Sequence, residues 1–366
     1  MSTTVPDSMR AVVGNRAVTA RLANYVWGKP CGDGVKVQNV PTPTISDSEI
    51  LVHVKAVALN PTDFKHVDLL AHKGAIIGCD FSGTVAKVGS NAPGNWKIGD
   101  RAAGWVHGGL YSDRGSFAEY LKVPADLAWK VPPAVSDEEA STYGVSAVTA
   151  VLALNARLDV PWADGGKEGG HRDSPVFIYA GATSAGLYAI QVAKLAGLKV
   201  VATASPRSHD LVKQYGADDV FDYRSPTAAE EIARAYPQMS RAMDCFSEGG
   251  STEFCVKVVR QAKGKVITLL DTGKKNVDGV EVEFFLGYGA FNRPWQWLAP
   301  VGPRFSASPS DNAALRRFYA SLHELCHQLR PPPLKQIEGG LSHLSEGLDL
   351  LRQGKVAGTK LVARLD

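Results

Sequence analysis

The stretch from residue 175 to residue 224 constrains the fold more than any other part of the sequence. Residues 176–179 form a short apolar run that is typical of a strand buried on both faces. Small residues fill positions 180–186, a helical pattern follows until Gly197, and residues 199–204 form a second strand. This order is that of a βαβ unit, so the sequence predicts an α/β protein with a doubly wound parallel sheet.

The first turn of this unit is a place where a pyrophosphate can bind to the N-terminus of a helix. Of the glycine fingerprint G-x-G-x-x-G, only Gly181 and Gly186 are present, and Thr183 and Ser184 fill the middle. Two glycines alone fit either a dinucleotide site or an ordinary crossover. The place of Gly186, where helix and strand pack closely, and the added hydroxyl donors favour the dinucleotide site.

The end of the second strand indicates which dinucleotide the turn would bind. An NAD enzyme usually has Asp or Glu there, to bind the ribose 2′-hydroxyl, whereas this chain has Ser205, Pro206, Arg207 and Ser208. A guanidinium binds a 2′-phosphate bidentately, and a carboxylate would repel it. The sequence therefore favours NADPH over NADH, with a solvated loop arginine as the alternative interpretation of Arg207.

Length, charge and cysteine content narrow the class of protein. A chain of 366 residues exceeds one typical core, so two domains are expected. The net charge of +3 is too small to indicate a nucleic-acid surface. Five scattered cysteines without a C-x-x-C pair indicate free thiols in a reducing compartment. We recognise no signal peptide and no run long enough to cross a bilayer, so we expect a cytoplasmic protein without membrane contact.

The segments on either side of the βαβ unit differ in character. Residues 9–39 alternate apolar runs with Gly, Pro and Asn, which predicts β-hairpins, and residues 49–60 form the clearest strand. Further short strands with glycine turns extend to residue 132 and favour an antiparallel, barrel-like unit. Residues 284–297 are rich in aromatic side chains, which would either line an apolar substrate cleft or cover the edge of the sheet.

Five short motifs carry a resemblance to a known family. They are ALNPTD (58–63), GCDFSG (78–83), GSFAEY (115–120), GADDVFDYR (216–224) and GKVAGTKLV (354–362). Together they resemble the quinone-oxidoreductase-like branch of the medium-chain dehydrogenase/reductase superfamily, over essentially the whole chain. Within that branch, NPTDFK, AGATSAG and TASPRSHDL make the chain similar to fungal trans-acting enoyl reductases, the partners of highly reducing polyketide synthases.

The resemblance implies two domains and an activity. A β-rich GroES-like catalytic domain would occupy residues 1–155 and be completed by residues 311–366, and a Rossmann-type NADPH-binding domain would occupy residues 156–310. The implied reaction transfers a hydride from NADPH to the β-carbon of an α,β-unsaturated polyketide thioester, after which the α-carbon takes up a proton. The implied partner is a polyketide synthase whose acyl carrier holds the thioester, and the enzyme is expected to be monomeric.

Zinc-dependent relatives carry a cysteine in the early catalytic loop, a Gly-His-Glu motif and a lobe of closely spaced cysteines. At the first two places this chain has Pro61-Thr62-Asp63 and Gly78-Cys79-Asp80, and it has no cysteine lobe. Cys79 and Asp80 cannot supply the three or four ligands that zinc needs. We therefore predict an enzyme that works without a metal.

The resemblance also assigns site residues. Lys65 is the first candidate for organising the reaction, by contacting the cofactor ribose or stabilising developing charge, with a surface lysine as the alternative. The other catalytic candidates are Asn60, Ser146 and Thr149. Cofactor contacts are expected from Thr62, Asp63, Phe64 and Lys65 at one edge, from Ala182, Thr183, Ser184, Ala185 and Gly186 at the pyrophosphate, from Ser205, Pro206, Arg207, Ser208 and Tyr223 at the 2′-phosphate, and from Leu269, Leu270, Gly358 and Thr359 over the nicotinamide. The substrate would be lined by Val148, Thr149, Leu152, Gly287, Tyr288, Gly289, Ala290 and Phe291, which favours a cleft role for the aromatic segment.

Three functions stay open on these grounds. The first is the trans-acting enoyl reductase, and the second is a free-standing NADPH-dependent quinone or enone reductase that acts on small molecules. The third is a protein that binds NADPH without catalysis. Turnover of an enoyl thioester, of quinones or of neither would distinguish them.

Overall fold

A computed structural model describes residues 5–162 and 175–365 of the chain. Its strands are β1 (Ser8–Gly14), β2 (Val35–Pro41), β3 (Glu49–Ala58), β4 (Asp80–Val88), β5 (Arg101–Trp105), β6 (Tyr120–Pro124), β7 (Ala128–Lys130), β8 (Val176–Tyr179), β9 (Val200–Ala204), β10 (Asp219–Asp222), β11 (Arg241–Asp244), β12 (Lys265–Thr268), β13 (Asn276–Val277), β14 (Val280–Phe284), β15 (Trp295–Gln296), β16 (Arg304–Phe305), β17 (Leu334–Gln336) and β18 (Lys360–Arg364). Its α-helices are α1 (Val18–Val26), α2 (Pro61–Lys65), α3 (Asp137–Ser141), α4 (Val145–Leu154), α5 (Ser184–Leu195), α6 (His209–Gln214), α7 (Ala228–Ala235), α8 (Ser251–Val259), α9 (Pro309–Leu325) and α10 (Leu344–Arg352).

The predicted doubly wound sheet is confirmed. Its strand order is β10-β9-β8-β11-β12-β14-β13, and all pairings are parallel except that of β13 with β14. All four residues of β8 are buried, as expected for a central strand covered by helices on both faces. The order of the strands reverses between β8 and β11, and in such sheets the crevice beyond the carboxyl ends of these strands is where ligands bind.

A second sheet has the order β17-β18-β3-β4-β5-β7, with β6 paired to β3. Its pairings are antiparallel apart from β17 with β18, which agrees with the predicted β-rich unit. Strand β18 comes from the end of the chain and pairs with β3 in the register Val362 to Ala58. The C-terminal segment therefore completes the sheet that the N-terminal segment begins.

The prediction of β-hairpins over residues 9–39 is only partly right. Strands β1 and β2 do pair as an antiparallel hairpin, but α1 lies between them. In its sequence Val18, Leu22, Tyr25 and Val26 recur at helical spacing, and in the structure Leu22, Tyr25 and Val26 are exposed. The prediction of β-hairpins overlooked this helical spacing.

An ion-pair cluster connects α4 and α9 to the nucleotide-binding sheet. Arg157, just after α4, donates to Asp311 at the start of α9 through two hydrogen bonds of 2.8 Å. Its Nε also donates to Glu283 on β14 over 3.0 Å. Since bidentate arginine–carboxylate pairs fix both distance and orientation, this cluster fixes the position of α4 beside the nucleotide-binding sheet.

Two expectations about the chain as a whole can be compared with the structure. All five cysteines are buried and unpaired, which confirms the free thiols. Within residues 5–162 and 175–365, no helix is long and apolar enough to span a bilayer.

Candidate active site

Five polar side chains form a buried cluster where α2, β4, α4 and β18 meet. Lys360 Nζ donates to Ser146 Oγ over 3.1 Å and to Asn60 Oδ1, and it lies 3.6 Å from Asp80 Oδ2. Asn60 Nδ2 donates to Asp80 Oδ2 over 2.9 Å, and the Asn60 backbone N–H donates to Asp63 Oδ2 over 2.8 Å. Two predicted catalytic residues, Asn60 and Ser146, are thus connected through a lysine on the last strand.

The local sequence explains how two helices begin at this cluster. Asn60 precedes α2, Pro61 occupies the first helical position, and Asp63 bonds back to Asn60, as in a capping box. Asp80 plays the same part for α4, because its Oδ1 accepts from the Val145 backbone N–H over 2.6 Å. Both carboxylates therefore bind backbone donors that the helices leave unpaired.

Burial sets the charges of the cluster. Desolvation raises the pKa of Asp80 to about 6, although Lys360 opposes the rise. It also raises the pKa of Asp63 to about 7, and the charge of Asp80 adds to that rise. Desolvation lowers the pKa of Lys360, an effect that Asp80 partly offsets. Because 3% of the Lys360 side chain and 0% of the Asp80 side chain are exposed, the charges of this pair act on each other away from bulk water.

Lys65 lies outside the cluster. It is the last residue of α2, 33% of its side chain is exposed, and its Nζ lies 3.5 Å from Oε1 of Glu248, in the loop after β11. The pair spans the cleft between the two sheets. Since an exposed ion pair contributes at most about 1 kcal/mol, Lys65 can exchange Glu248 for an anionic or hydroxylic ligand at little cost.

The predicted pyrophosphate turn has the geometry of an anion site. Thr183 is the N-cap of α5: its Oγ1 accepts from the Gly186 N–H over 3.1 Å and donates to the Ala180 carbonyl over 2.9 Å. A Cβ on Gly186 would lie 2.6 Å from the Ala180 oxygen, so the close passage of helix and turn requires glycine. Ser184 and Ala185 follow in the first turn of a 12-residue helix, where backbone N–H groups lack helical acceptors.

A second set of polar residues borders the crevice on the side of β11. Asp244 ends this strand and accepts from the Ser247 N–H over 2.8 Å, from Ser251 Oγ over 2.7 Å and from Thr252 Oγ1 over 2.8 Å. Ser247 Oγ in turn accepts from the Leu269 N–H over 2.8 Å. These bonds hold the predicted cofactor residue Leu269 at the carboxyl ends of the strands.

The acid-free strand tip lies in an open cleft. Arg207, Ser208 and Leu211 line it from the nucleotide-binding side, and Lys355 and Gly358 line it from the segment before β18. Among the residues that line it there is no acidic side chain. Gly358 therefore lies on the Arg207 side of the site, whereas the resemblance assigned it to the nicotinamide.

Ser205 and Tyr223 were also predicted to contact the 2′-phosphate of the cofactor. Ser205 Oγ donates to Ser208 Oγ over 3.4 Å, which joins both hydroxyls at the start of α6. Tyr223 is 42% exposed and its ring lies 6.1 Å from that of Tyr179, so it stands beyond the residues that line the cleft.

An aromatic wall lies on the other side of α2. The Tyr288 ring is stacked on the His107 imidazole, with centroids 3.7 Å apart and planes 7° apart. Trp105 lies 5.5 Å from Tyr288 and 4.6 Å from Phe291, centroid to centroid. Tyr288 Oη is hydrogen-bonded to Thr62 Oγ1 over 2.7 Å, which joins the wall to the predicted cofactor edge. The narrow cavity beside this wall is lined by Val106, His107, Tyr111, Arg114, Lys122, Pro124, Tyr288, Phe291, Arg293 and Trp295.

The predicted substrate residues fall into two groups. Val148 and Leu152 are buried in α4, and a Cβ on Gly287 would lie 3.3 Å from Trp105 and 3.8 Å from Leu152. Gly287 and Leu152 therefore approach the aromatic wall, as Tyr288 and Phe291 do. Thr149 is half-buried on the same helix.

The second group packs towards α9. The Ala290 carbonyl accepts from Asn312 Nδ2 over 2.7 Å, and a Cβ on Gly289 would lie 3.0 Å from Ser308. Neither residue is among those that line the cavity.

The remaining predicted cofactor residues lie at partly or fully exposed positions. They are Phe64, Ala182, Pro206, Leu270 and Thr359.

Several site residues were missed from the sequence. Asp80 and Lys360 lie in the motifs GCDFSG and GKVAGTKLV. Lys360 could have been identified from the sequence, because it is a lysine at the first position of an apolar strand. His66 and His107 carry no signal of their own, because nothing in their local sequence indicates that they meet one ring. Within the part of the chain that the structure describes, no three His, Cys, Asp or Glu side chains are placed to hold a metal ion. The zinc-free reaction stays a prediction.

Comparison with known proteins places this site in a family. Residues 46–133 match the alcohol dehydrogenase GroES-like domain, and residues 185–275 match the zinc-binding dehydrogenase domain. A trans-enoyl reductase of Petromyces alliaceus is 33% identical over 346 residues, which cover 91% of this chain and 94% of the relative. A trans-enoyl reductase of Aspergillus niger is 36% identical over 343 residues, covering 88% and 92%. The chain belongs to the medium-chain dehydrogenase/reductase superfamily.

Solved structures of this superfamily share the fold. An alcohol dehydrogenase superfamily protein from Novosphingobium aromaticivorans superposes with a TM-score of 0.76 at 21% identity, over 98% of this chain and 100% of that one. A quinone oxidoreductase from Coxiella burnetii gives 0.70 at 22% identity, over 98% and 100%. A mycobacterial protein in complex with NADPH gives 0.68 at 19% identity, over 97% and 99%.

The family match and the relatives at 33% and 36% identity together assign the class of enzyme. The chain is a nicotinamide-dependent oxidoreductase acting on carbon–carbon double bonds, with its GroES-like sheet on one side of the cleft and its Rossmann-type sheet on the other. In this superfamily member α2 contacts both sides: Lys65 lies 3.5 Å from Glu248 on the nucleotide-binding side, and Thr62 is hydrogen-bonded to Tyr288 in the aromatic wall.

Proposed function

We propose that this protein is a zinc-independent enoyl reductase that uses NADPH to reduce an α,β-unsaturated thioester held by the acyl carrier of a polyketide synthase. The observation that carries the proposal is the aromatic cavity beside α2, one hydrogen bond away from Thr62 at the predicted cofactor edge. An apolar acyl chain would lie against the aromatic wall while its double bond lies against the nicotinamide. The similarity to fungal trans-enoyl reductases at 33% and 36% identity supports the same reaction.

The residues present fit NADPH. The cleft at Arg207 offers a guanidinium, the buried hydroxyl of Ser208 and the ammonium of Lys355, without a carboxylate among its lining residues, which suits a 2′-phosphate. The first turn of α5 leaves backbone N–H groups at Ser184 and Ala185 without helical acceptors, and these would bind the pyrophosphate. When bound, NADPH would supply the hydride for the β-carbon of the substrate.

The chain itself would handle the charge that this hydride creates. The negative charge collects on the thioester oxygen, and preorganised donors stabilise it in a site that excludes water. Lys65 would contact the cofactor ribose or this oxygen. Because Lys360 Nζ already donates to Ser146 Oγ, the Ser146 hydroxyl keeps its own hydrogen for a second acceptor. Lys360, Asp80 and Asn60 would thus orient Ser146 without touching the substrate.

We also propose a division into domains, an oligomeric state, a location and a pathway. Residues 1–155 and 311–366 would form the catalytic domain and residues 156–310 the NADPH-binding domain. The enzyme would act as a monomer in the cytoplasm, in the biosynthesis of a fungal secondary metabolite. A free-standing quinone or enone reductase is the second candidate, favoured by the fold shared with the quinone oxidoreductase from Coxiella burnetii.

Steady-state turnover tests the proposal. NADPH oxidation would be followed with a crotonyl thioester of a pantetheine analogue, with simple quinones and with NADH in place of NADPH. We expect reduction of the thioester with NADPH and little activity with quinones. Activity on quinones alone would establish the second candidate, and NADPH binding without turnover of either substrate would indicate a protein that has lost catalysis.

A further inference from the structure

The hydroxyl of Tyr288 is the centre of a second buried polar group. It is hydrogen-bonded to Thr62 Oγ1 over 2.7 Å, to His66 Nε2 over 3.4 Å and to Cys79 Sγ over 3.8 Å. The ring is held by the stack on His107, at 3.7 Å between centroids. A phenol held on its ring face and by three polar neighbours has one well-defined position for its hydroxyl oxygen.

Among residues 5–162 and 175–365, no charged side chain is bonded to this hydroxyl. Burial lowers the pKa of His66 to about 4, and burial together with His66 lowers the pKa of His107, so both rings are neutral at physiological pH. Burial raises the pKa of the Cys79 thiol and of the Tyr288 phenol. The phenol therefore keeps its proton until a much stronger base comes within reach.

Tyr288 lies where the proposed reaction would form such a base, the enolate of the thioester. Its ring lines the aromatic cavity with Phe291 and Trp295, while its hydroxyl bonds to Thr62 on α2. Lys65 ends that helix and faces Glu248 on the nucleotide-binding side of the cleft. In the proposed function, the double bond of the substrate would lie beside this junction when it meets the nicotinamide.

We propose that Tyr288 is a catalytic residue whose hydroxyl protonates the α-carbon of the reduced thioester. The inference rests on the proposed enoyl reduction. Hydride addition to the β-carbon moves the π pair towards the thioester oxygen as an enolate. The electron pair then returns through the α-carbon, which forms a C–H bond with the Tyr288 proton as the phenolic O–H bond breaks. A carbon acid as weak as a thioester makes its enolate a stronger base than a phenolate, so the transfer is downhill.

The phenolate regains its proton from water through Thr62. Thr62 is half-buried, and its hydroxyl gives its hydrogen to Tyr288 as it takes one from solvent. His66 is a positioning residue: as the tautomer that carries hydrogen on Nε2, it donates to the phenolate and stabilises it. One hydride and one proton are thereby consumed per double bond.

The substitution Tyr288→Phe tests this assignment, because it removes the hydroxyl and keeps the ring that stacks on His107. Tyr319→Phe is the matched control: Tyr319 is another buried tyrosine, and its hydroxyl has no hydrogen-bond partner among the described residues. Both variants would be compared with the wild-type enzyme for kcat and KM on the thioester, for NADPH affinity by fluorescence titration, and for the face of the α-carbon that acquires deuterium in heavy water.

We expect Tyr288→Phe to lower kcat by about 100-fold or more, as for loss of a general acid, with unchanged NADPH affinity and deuterium on both faces. Tyr319→Phe should keep the wild-type rate and a single face. A Tyr288→Phe enzyme with the wild-type rate and a single face would overturn the assignment. If the variant unfolds, Thr62→Val tests the same relay, and an unchanged rate and a single labelled face there would equally overturn it. A wild-type enzyme that reduces no enoyl thioester would refute the proposed function itself, and the assignment of Tyr288 with it.

Discussion

The substitution Lys360→Met isolates the buried ion pair on which the catalytic sheet is built. The side chain of methionine fills a similar space, but Asp80, Asn60 and Ser146 lose the ammonium that they contact. Breaking a buried pair by removing one partner costs about 3–5 kcal/mol. Asp80 can limit that cost by taking up a proton, so the loss depends on pH.

The magnitude follows from the pKa of Asp80. Its folded-state pKa of about 6 lies above the ordinary value of 3.8, so the folded protein binds more protons than the unfolded chain between these values and loses stability as pH rises through them. Without Lys360 the pKa of Asp80 rises further, so this loss of stability continues to higher pH. It amounts to about 1.4 kcal/mol for each pH unit. The lowered pKa of Lys360 acts in the same direction, because it favours the wild type as pH rises. We expect a loss of about 1–2 kcal/mol near pH 6, from two missing hydrogen bonds, and about 3–5 kcal/mol near pH 8.

Urea unfolding followed by tryptophan fluorescence would measure these losses at both pH values. Trp129 is a suitable reporter, because it is buried in the same half of the molecule. The matched control is Lys355→Met, an exposed lysine in the same C-terminal segment, whose substitution should change stability by less than about 0.5 kcal/mol. A Lys360→Met variant with the same small loss at pH 6 and pH 8 would refute the view that Lys360 neutralises Asp80.

Three further substitutions test the cleft. Arg207→Glu should raise the Kd of NADPH at least 10-fold and change that of NADH far less; equal losses in fluorescence titrations would remove Arg207 from the phosphate site. Lys65→Ala should lower turnover at least 10-fold while circular dichroism stays unchanged, whereas Lys73→Ala, at an exposed position outside the site, should have no effect; a fully active Lys65→Ala enzyme would contradict the role of Lys65. Thr183→Ala removes the N-cap of α5 and should lower the free energy of unfolding by about 0.5–2 kcal/mol, together with NADPH affinity; unchanged urea midpoints would show that the cap is not needed.

The sequence predicts the parts of the fold that depend on local patterns within short segments. The βαβ unit follows from four apolar residues, a turn of small residues and a helix that ends before Gly197, whose φ of +80° is the left-handed value expected at a helix end. The strand at residues 49–60 and the acid-free tip at Arg207 are equally local. The family resemblance adds the order of the domains and the place of Asn60, Ser146 and Tyr288.

What could not be predicted depends on pairs of residues that are distant along the chain. Lys360 meets Asn60 only because β18 pairs with β3, and His66 meets Tyr288 only because the aromatic segment folds back on α2. A local pattern shows that a lysine opens an apolar strand, but not which buried carboxylate it will neutralise. Helix α1 is a different case, because its apolar residues do recur at helical spacing and the prediction of β-hairpins overlooked that pattern.

The pairing of β18 with β3 has a consequence for the order in which the protein folds during synthesis. The nucleotide-binding strands β8 to β14 are contiguous in the chain and can form their sheet as soon as they emerge from the ribosome. The first sheet cannot, because β3 lacks one neighbour and Asp80 lacks its counter-charge until residues 360–364 have been made. The half of the enzyme that is translated first is therefore completed last. A nascent chain that stalls before Lys360 would expose the edge of β3 at residues 56–58 and leave Asp80 without its counter-charge.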